Sequence, residues 1–195
     1  MNNKLFTGNL VWLATLDPEK DSDLIARWGR DSEYQRLLDI GPAALFSAKL
    51  VQNWYEQVGP DRSFMIRTLD GDRAIGFIEL GGFDWSARSA WVGIGIGERD
   101  ARGKGYGTDA MNVLLHYAFT ELNLHRVNLN VFSFNARAIR SYEKAGFKYE
   151  GTERERIFKE DRRWDVIDMG ILKSDWELLH AEQPVSIETA VEMDA

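Results

Sequence analysis

The sequence predicts a mixed α/β domain in three layers, a single sheet with helices on both faces. Three observations carry that expectation. Two strand-like runs, Ser63 to Leu69 and Arg73 to Leu80, flank Asp70-Gly71-Asp72, and an Asp-Gly pair between such runs signals an antiparallel hairpin. The second half of the chain alternates strand-like and helix-like stretches. The first half does not, which excludes a purely parallel, doubly wound sheet.

Leu10 to Ala14 reads as the first strand. Asp17-Pro18 then opens a helix, aspartate as its cap and proline at its first position, and Leu24, Ile25 and Trp28 give that helix an apolar face. A second helix is expected over Ala43 to Gln57 from Leu45, Leu50, Val51 and Trp54, behind a mixed connector. The hairpin follows, then Gly81-Gly82 and a strand from Ala90 to Gly97. The run from Gly103 to Gly107 leads into a helix to about Glu121, with Ala110, Leu114, Tyr117 and Ala118 on one side. Arg126 to Phe132 sets Val127, Leu129 and Val131 against Arg126, Asn128 and Asn130, a strand with one more polar face. Asn135 opens another helix, with Ala138, Ile139 and Tyr142 on one face and Ala145-Gly146 at its close. Strands near Phe147 to Phe158 and Val166 to Leu172 complete the sheet. Residues 1 to 9 are expected to be loosely held. Gln183 to Ala195, with Glu188, Glu192 and Asp194 and no basic residue, reads as a solvated acidic tail. No linker or repeat divides the chain, so residues 1 to 182 read as one domain.

The 195 residues include 24 Lys plus Arg and 31 Asp plus Glu, a net charge of −7. That balance disfavours broad contact with nucleic acid or anionic lipid, which draws its affinity from clustered cations. The absence of cysteine excludes disulfides, thiolate metal sites and cysteine nucleophiles. The early apolar run from Leu10 to Leu16 is too short to span a bilayer and lacks the flanks of an export signal, so a cytoplasmic location is expected. His116 and His125 stand nine residues apart without a paired carboxylate motif, and no metal site is expected.

Arg102-Gly103-Lys104-Gly105-Tyr106-Gly107-Thr108 lies where a strand ends and a long helix begins. Free amides at a helix start, with the positive end of its dipole, form a concave anion site, and glycine lets a phosphate reach the main chain. The alternating glycines match neither the Walker pattern nor the dinucleotide fingerprint. They do fit Arg/Gln-x-x-Gly-x-Gly/Ala, through Arg102, Gly105 and Gly107. This loop resembles the acetyl-CoA loop of the GCN5-related N-acetyltransferase (GNAT) family. The resemblance runs from about Trp91 to Trp176, through Leu122 to Arg126, Asn135 to Phe147 and Trp164-Asp165, and is nearest the branch of ribosomal-protein N-terminal and spermidine acetyltransferases.

That resemblance implies a GNAT-like fold and an enzyme that moves the acetyl group of acetyl-CoA to an amine. It implies a pantetheine arm lying like a strand between Trp91 to Gly97 and Arg126 to Phe132, with Ile94, Gly95 and Ile96 as backbone contacts. It further implies cofactor contact from Arg102, Gly103, Lys104, Gly105, Tyr106, Gly107, Thr108 and Asn135, and makes Tyr142 the general acid for the departing thiolate. Asn135 also suits a helix cap, and Tyr142 lies two turns further on, about 10 Å along the axis. Arg137 and Lys144 suit either a solvated helix face or the CoA phosphates; Lys144 is counted with the cofactor set. Gly93, Gly95 and Gly97 mark either a bulge that would free an amide for the thioester oxygen or a close backbone approach.

The base is read as Glu79, which interrupts the face formed by Ile75 and Phe77, or as a water relay; a strand-end surface carboxylate is the alternative. Asn130 stands where some family members carry a glutamate. With no cysteine to hold an acyl group, direct attack in a ternary complex is expected. The acceptor is open between a protein N-terminus and a polyamine or aminoglycoside, framed by residues 18 to 60 and the last hairpin, where Asp31, Glu33, Asp39 and Glu56 could draw a cation. A non-catalytic acyl-CoA sensor is the alternative function, and a homodimer is implied by the family. Trp28, Trp54, Trp85, Trp91 and Trp176 are read as packing residues.

Overall fold

One seven-stranded sheet organises the described residues, 4–58 and 62–181 of the computed structural model. In chain order the elements are β1 (Val11–Thr15), α1 (Pro18–Trp28), α2 (Ser32–Leu38), α3 (Ala48–Val58), β2 (Ser63–Thr68), β3 (Ala74–Asp84), β4 (Ser89–Ile96), α4 (Tyr106–Thr120), β5 (Arg126–Phe132), α5 (Ala136–Lys144), β6 (Lys148–Lys159), β7 (Arg162–Leu172) and α6 (Lys173–Ala181). In space the strands lie β1-β2-β3-β4-β5-β7-β6. Every neighbouring pair is antiparallel except β4 and β5.

The strands bury both faces, as the three-layer expectation requires. On one side α4, α5 and α6 cover the main core, built around Ile78, Leu114, Phe119, Val127 and Ile171. On the other, α1 and α2 press Trp28 and Tyr34 onto Met65 and Phe77. A register shift at Ile66/Arg67 places Ile75 in the first core and Phe77 in the second, so they do not share the face read for Glu79.

Asp17 caps α1 as expected, accepting the amides of Glu19 and Lys20. Two helices were not read from the sequence. The first, α2, fills the mixed connector; Asp31 caps it by accepting the Glu33 and Tyr34 amides. The second, α6, follows β7 without a turn residue and seats Trp176 against Phe119, ring centroids 5.6 Å apart. Helix α3 begins at Ala48 rather than Ala43 because Ser47 Oγ takes the Leu50 amide.

The last hairpin is tighter than expected: Glu160 and Asp161, at φ 54° and 58°, make a two-residue turn whose twist matches the flanking strands. The expected loose start is held from Lys4 onward. Phe6 packs between Phe64 and Tyr117, and the Asp109 carboxylate accepts the amides of Asn9, Leu10 and Val11. The acidic tail from Gln183 lies outside the described residues.

Candidate active site

Strands β4 and β5 run side by side for three residue pairs, Ser89 with Arg126, Ala90 with Val127 and Trp91 with Asn128, and then part. Arg88 O accepts the His125 amide and Ala90 O accepts Asn128 Nδ2. Even-numbered residues of this strand therefore turn their main chain toward β5, and strand alternation extends this to Val92, Ile94 and Ile96, where β5 is no longer there to pair. On its other edge β4 keeps unbroken register with β3 from Trp91 to Ile96. No bulge interrupts β4 between Trp91 and Ile96, Gly93 and Gly95 included: its free edge there arises from splaying. By the same alternation Gly95 turns its main chain to β3, so of the three expected backbone contacts Ile94 and Ile96 face the gap.

The alternating glycines serve close approach instead. A Cβ at Gly97 would collide with the Trp28 ring and one at Gly95 with the Tyr34 hydroxyl, while one at Gly93 would lie 3.3 Å from Glu79 Oε1.

The gap widens into a cavity of about 320 Å³. One wall is Ile94, Gly95 and Ile96, another the loop residues Arg102, Gly103, Gly105, Gly107 and Thr108, and a third the α5 side with Asn135, Tyr142 and Lys144. The loop turns through left-handed backbone at Gly103 (φ 76°) and Gly105 (φ 90°), conformations that glycine adopts without a Cβ penalty. Gly105 is the N-cap of α4 and brings no side chain to the first-turn amides, which leaves Tyr106, Gly107 and Thr108 N–H without a cap. Thr108 Oγ1 and Ser141 Oγ, 2.8 Å apart, tie this turn to α5.

The loop's arginine is not free. Arg102 donates to Ile96 O (3.0 Å) and Gly97 O (2.8 Å) and pairs with Asp31 at 3.0 Å, its side chain only 8% exposed. It ties the end of β4 to α2 rather than presenting its charge to a phosphate. Asp31, one of the acids expected to draw a cation, is spent on the same clamp. Hydrogen bonds from Arg99 and Arg102 outweigh its burial and hold its carboxyl well below the usual range. The cationic wall comes from α5 instead, where Arg137, Arg140 and Lys144 line the cavity.

Asn135 caps α5 as expected, its Oδ1 accepting the Ala138 amide at 3.2 Å, and the residue lines the cavity. Two turns on, burial pushes the Tyr142 phenol up to about 12, and no hydrogen bond to it occurs among the described residues. It is protonated at neutral pH.

Comparison with known proteins decides what this cleft belongs to. The family model for the acetyltransferase (GNAT) domain matches residues 11–148. The chain belongs to the GNAT acetyltransferase family. An uncharacterised N-acetyltransferase of Bacillus subtilis, YokL, prophage-derived, is 31% identical over 177 residues, covering 90% of this chain and 97% of its own. The spermidine N(1)-acetyltransferase of Vibrio cholerae is 39% identical over 102 residues, 52% of this chain and 58% of that enzyme. A structure of a V. cholerae spermidine N-acetyltransferase in complex with CoA and spermine superposes with a TM-score of 0.75 at 28% identity, over 86% of this chain and 98% of that one. The chain is an acetyl-CoA-dependent acetyltransferase.

In this GNAT domain the remaining expected site residues fall outside the cavity. Lys104 does not line it, and the Tyr106 ring packs toward the main core. Glu79 lies mid-strand in β3, paired with Ser63 and Gly93, on the face shared with Tyr34 rather than at a strand end. Burial raises its carboxyl, against a 3.5 Å contact from Ser63 Oγ that lowers it. Tyr34, Arg140 and Ser141 were missed as lining residues. Only Arg140 and Ser141 had a sequence signal, their place on the helix that carries Asn135 and Tyr142. Trp28 and Trp176 are packed as expected, whereas Trp54, Trp85 and Trp91 are 41–54% exposed. Among the described residues no group of His, Asp or Glu is arranged to hold a metal ion, and no helix is long and apolar enough to cross a membrane.

Proposed function

We propose that the enzyme transfers acetyl from acetyl-CoA to a primary amine by direct attack in a ternary complex, the acceptor being a protein N-terminus or a small polyamine- or aminoglycoside-type amine. One observation carries this reading: the unpaired edge of β4 opens into a cavity bounded by the uncapped amides of α4 and by the Tyr142 phenol. The diphosphate of the co-substrate fits those amides, with the α4 dipole and the α5 cations adding attraction. Ile94 and Ile96 offer main-chain donors to the pantetheine arm, as an added strand would use them; the Ile96 carbonyl is already taken by Arg102.

An amide from this edge can stabilise the oxygen on which charge develops during attack, an effect worth roughly 3 kcal/mol where such a donor has been removed. Tyr142 then gives its proton to the departing thiolate. Glu79, desolvated but not enclosed, takes the proton that the acceptor ammonium must lose, through water. The CoA and spermine in the V. cholerae structure support both the co-substrate and a small cationic amine as acceptor class.

The test is thiol release from acetyl-CoA with a panel of peptides bearing free N-termini, polyamines and aminoglycosides. The reading predicts release that depends on at least one acceptor. CoA binding without acceptor-dependent release across the panel would leave an acyl-CoA sensor.

A further inference from the structure

The Tyr34 hydroxyl is buried without a hydrogen-bond partner, an arrangement that costs roughly 1–3 kcal/mol unless water or ligand satisfies it. Its place is set by β4. The phenol rests on Gly95 in the room left by the missing Cβ, the Arg102 guanidinium lies 5.4 Å from its ring, and the residue forms part of the cavity wall. Glu79 rests in the same way on Gly93, two residues back on that strand face. The two polar ends therefore sit one strand repeat apart, about 7 Å, a span that one or two waters fill. Tyr34 stands at the cavity and Glu79 behind it.

We propose that Tyr34 is a positioning residue for deprotonation, its hydroxyl holding the water through which the acceptor ammonium passes a proton to Glu79. The inference rests on the reading of Glu79 as base. The water accepts the Tyr34 O–H on one lone pair and the ammonium proton on the other, and gives one of its own protons to the carboxylate. The ammonium N–H bond breaks and a Glu79 O–H bond forms; the amine becomes neutral and the carboxyl protonated, with no other reactant needed.

The surroundings suit a donor in front of an acceptor. Burial keeps the Tyr34 and Tyr55 phenols protonated and raises the Glu79 carboxyl. The groups that face the relay are Tyr34 from α2, Tyr55 from α3, Ser63 from β2 and Glu79 from β3, with the Asp31–Arg102 pair behind the Tyr34 ring.

The experiment compares Tyr34→Phe, Glu79→Gln and the double variant with wild type, reading kcat, the pH profile of kcat/KM, the Kd for CoA and Tm. Tyr34→Phe should lower kcat at least tenfold, leave the CoA Kd within twofold, and move the acidic limb of kcat/KM to higher pH, because Glu79 loses a well-held donor. The double variant should be no slower than Glu79→Gln alone. Because the hydroxyl has no protein partner, Tyr34→Phe should not lower Tm. Gly95→Ala, whose Cβ displaces the same hydroxyl, should reproduce the kcat loss. Wild-type kcat and pH profile in Tyr34→Phe beside an impaired Glu79→Gln would overturn this inference and leave the base standing. Full activity in Glu79→Gln would overturn the base itself. Loss of CoA binding in Tyr34→Phe and Gly95→Ala would show that the Tyr34 hydroxyl serves to hold the co-substrate and would overturn the relay.

Discussion

Gly105→Ala separates the geometry of the α4 start from its sequence. Gly105 sits at φ 90°, and a Cβ there would meet Leu10 Cδ1 at 3.4 Å. Left-handed backbone costs a non-glycine residue about 1–2 kcal/mol, which at about 2–4 °C per kcal/mol for a chain of this size lowers Tm by about 2–8 °C if the loop keeps its shape. If the loop relaxes instead, the amides of Tyr106 to Thr108 turn away from the cavity. Losing one charge-assisted bond to a diphosphate, about 1.5–3 kcal/mol, weakens CoA about 10- to 150-fold. The assay is calorimetric titration with CoA beside a thermal melt. Gly107→Ala is the control: its φ is not left-handed and its Cβ would find only ordinary contacts, at 3.7 Å from Ile96 Cγ1, so the fold should hold or gain slightly. A Gly105→Ala protein with both wild-type Tm and wild-type CoA Kd would show that neither the left-handed turn nor the amides it presents matter.

Other consequences follow from the same contacts. Tyr142→Phe should lower kcat about 100-fold with the CoA Kd unchanged, measured by steady-state thiol release; full kcat at all pH values would remove the acid assignment. Asp31→Ala leaves Arg102 unpaired beneath α2 and strips that helix of its cap, and should cost about 3–5 kcal/mol in a denaturant melt. Because the Asp31 carboxyl is depressed, its contribution is present above about pH 4 and is lost on acidification; Asp31→Asn should accordingly flatten the acid side of the stability–pH curve. Glu79 is shifted the other way, so Glu79→Gln should raise Tm at neutral pH and converge with wild type below about pH 4, where the carboxyl becomes protonated in both states. Gly97→Ala should fail to fold in a soluble-expression assay, since its Cβ meets the Trp28 ring, whereas Gly81→Ala, with open space, should be neutral.

What could be read from the sequence was local. The strand-to-helix glycine run, the Asn135 cap and Tyr142 two turns later are positions a few residues apart, and spacing alone puts them on one loop and one helix face. What could not be read depends on residues distant along the chain. Asp109 looks like an ordinary first-turn carboxylate until Asn9, Leu10 and Val11 reach it from about 100 residues away. Arg102 fits a phosphate-binding motif, yet Asp31, 71 residues earlier, meets it in the fold. The glycines of β4 are equally consistent with a bulge and with close approach in sequence. Only the arrival of Trp28 and Tyr34 from α1 and α2 decides between the two, and Tyr34 became visible as a site residue only with that packing. Helix α2 hid because seven residues with one cap leave little periodicity to detect.

In the proposed mode of binding, main-chain amides at the α4 start and on the unpaired edge of β4 grip the co-substrate. Residue-resolved amide hydrogen exchange with and without CoA measures this directly. Slowed exchange is predicted at Tyr106, Gly107, Thr108, Ile94 and Ile96, with Gly95 unchanged because its amide already faces β3. Saturating CoA that leaves Ile94 and the α4 amides at their free rates would contradict it.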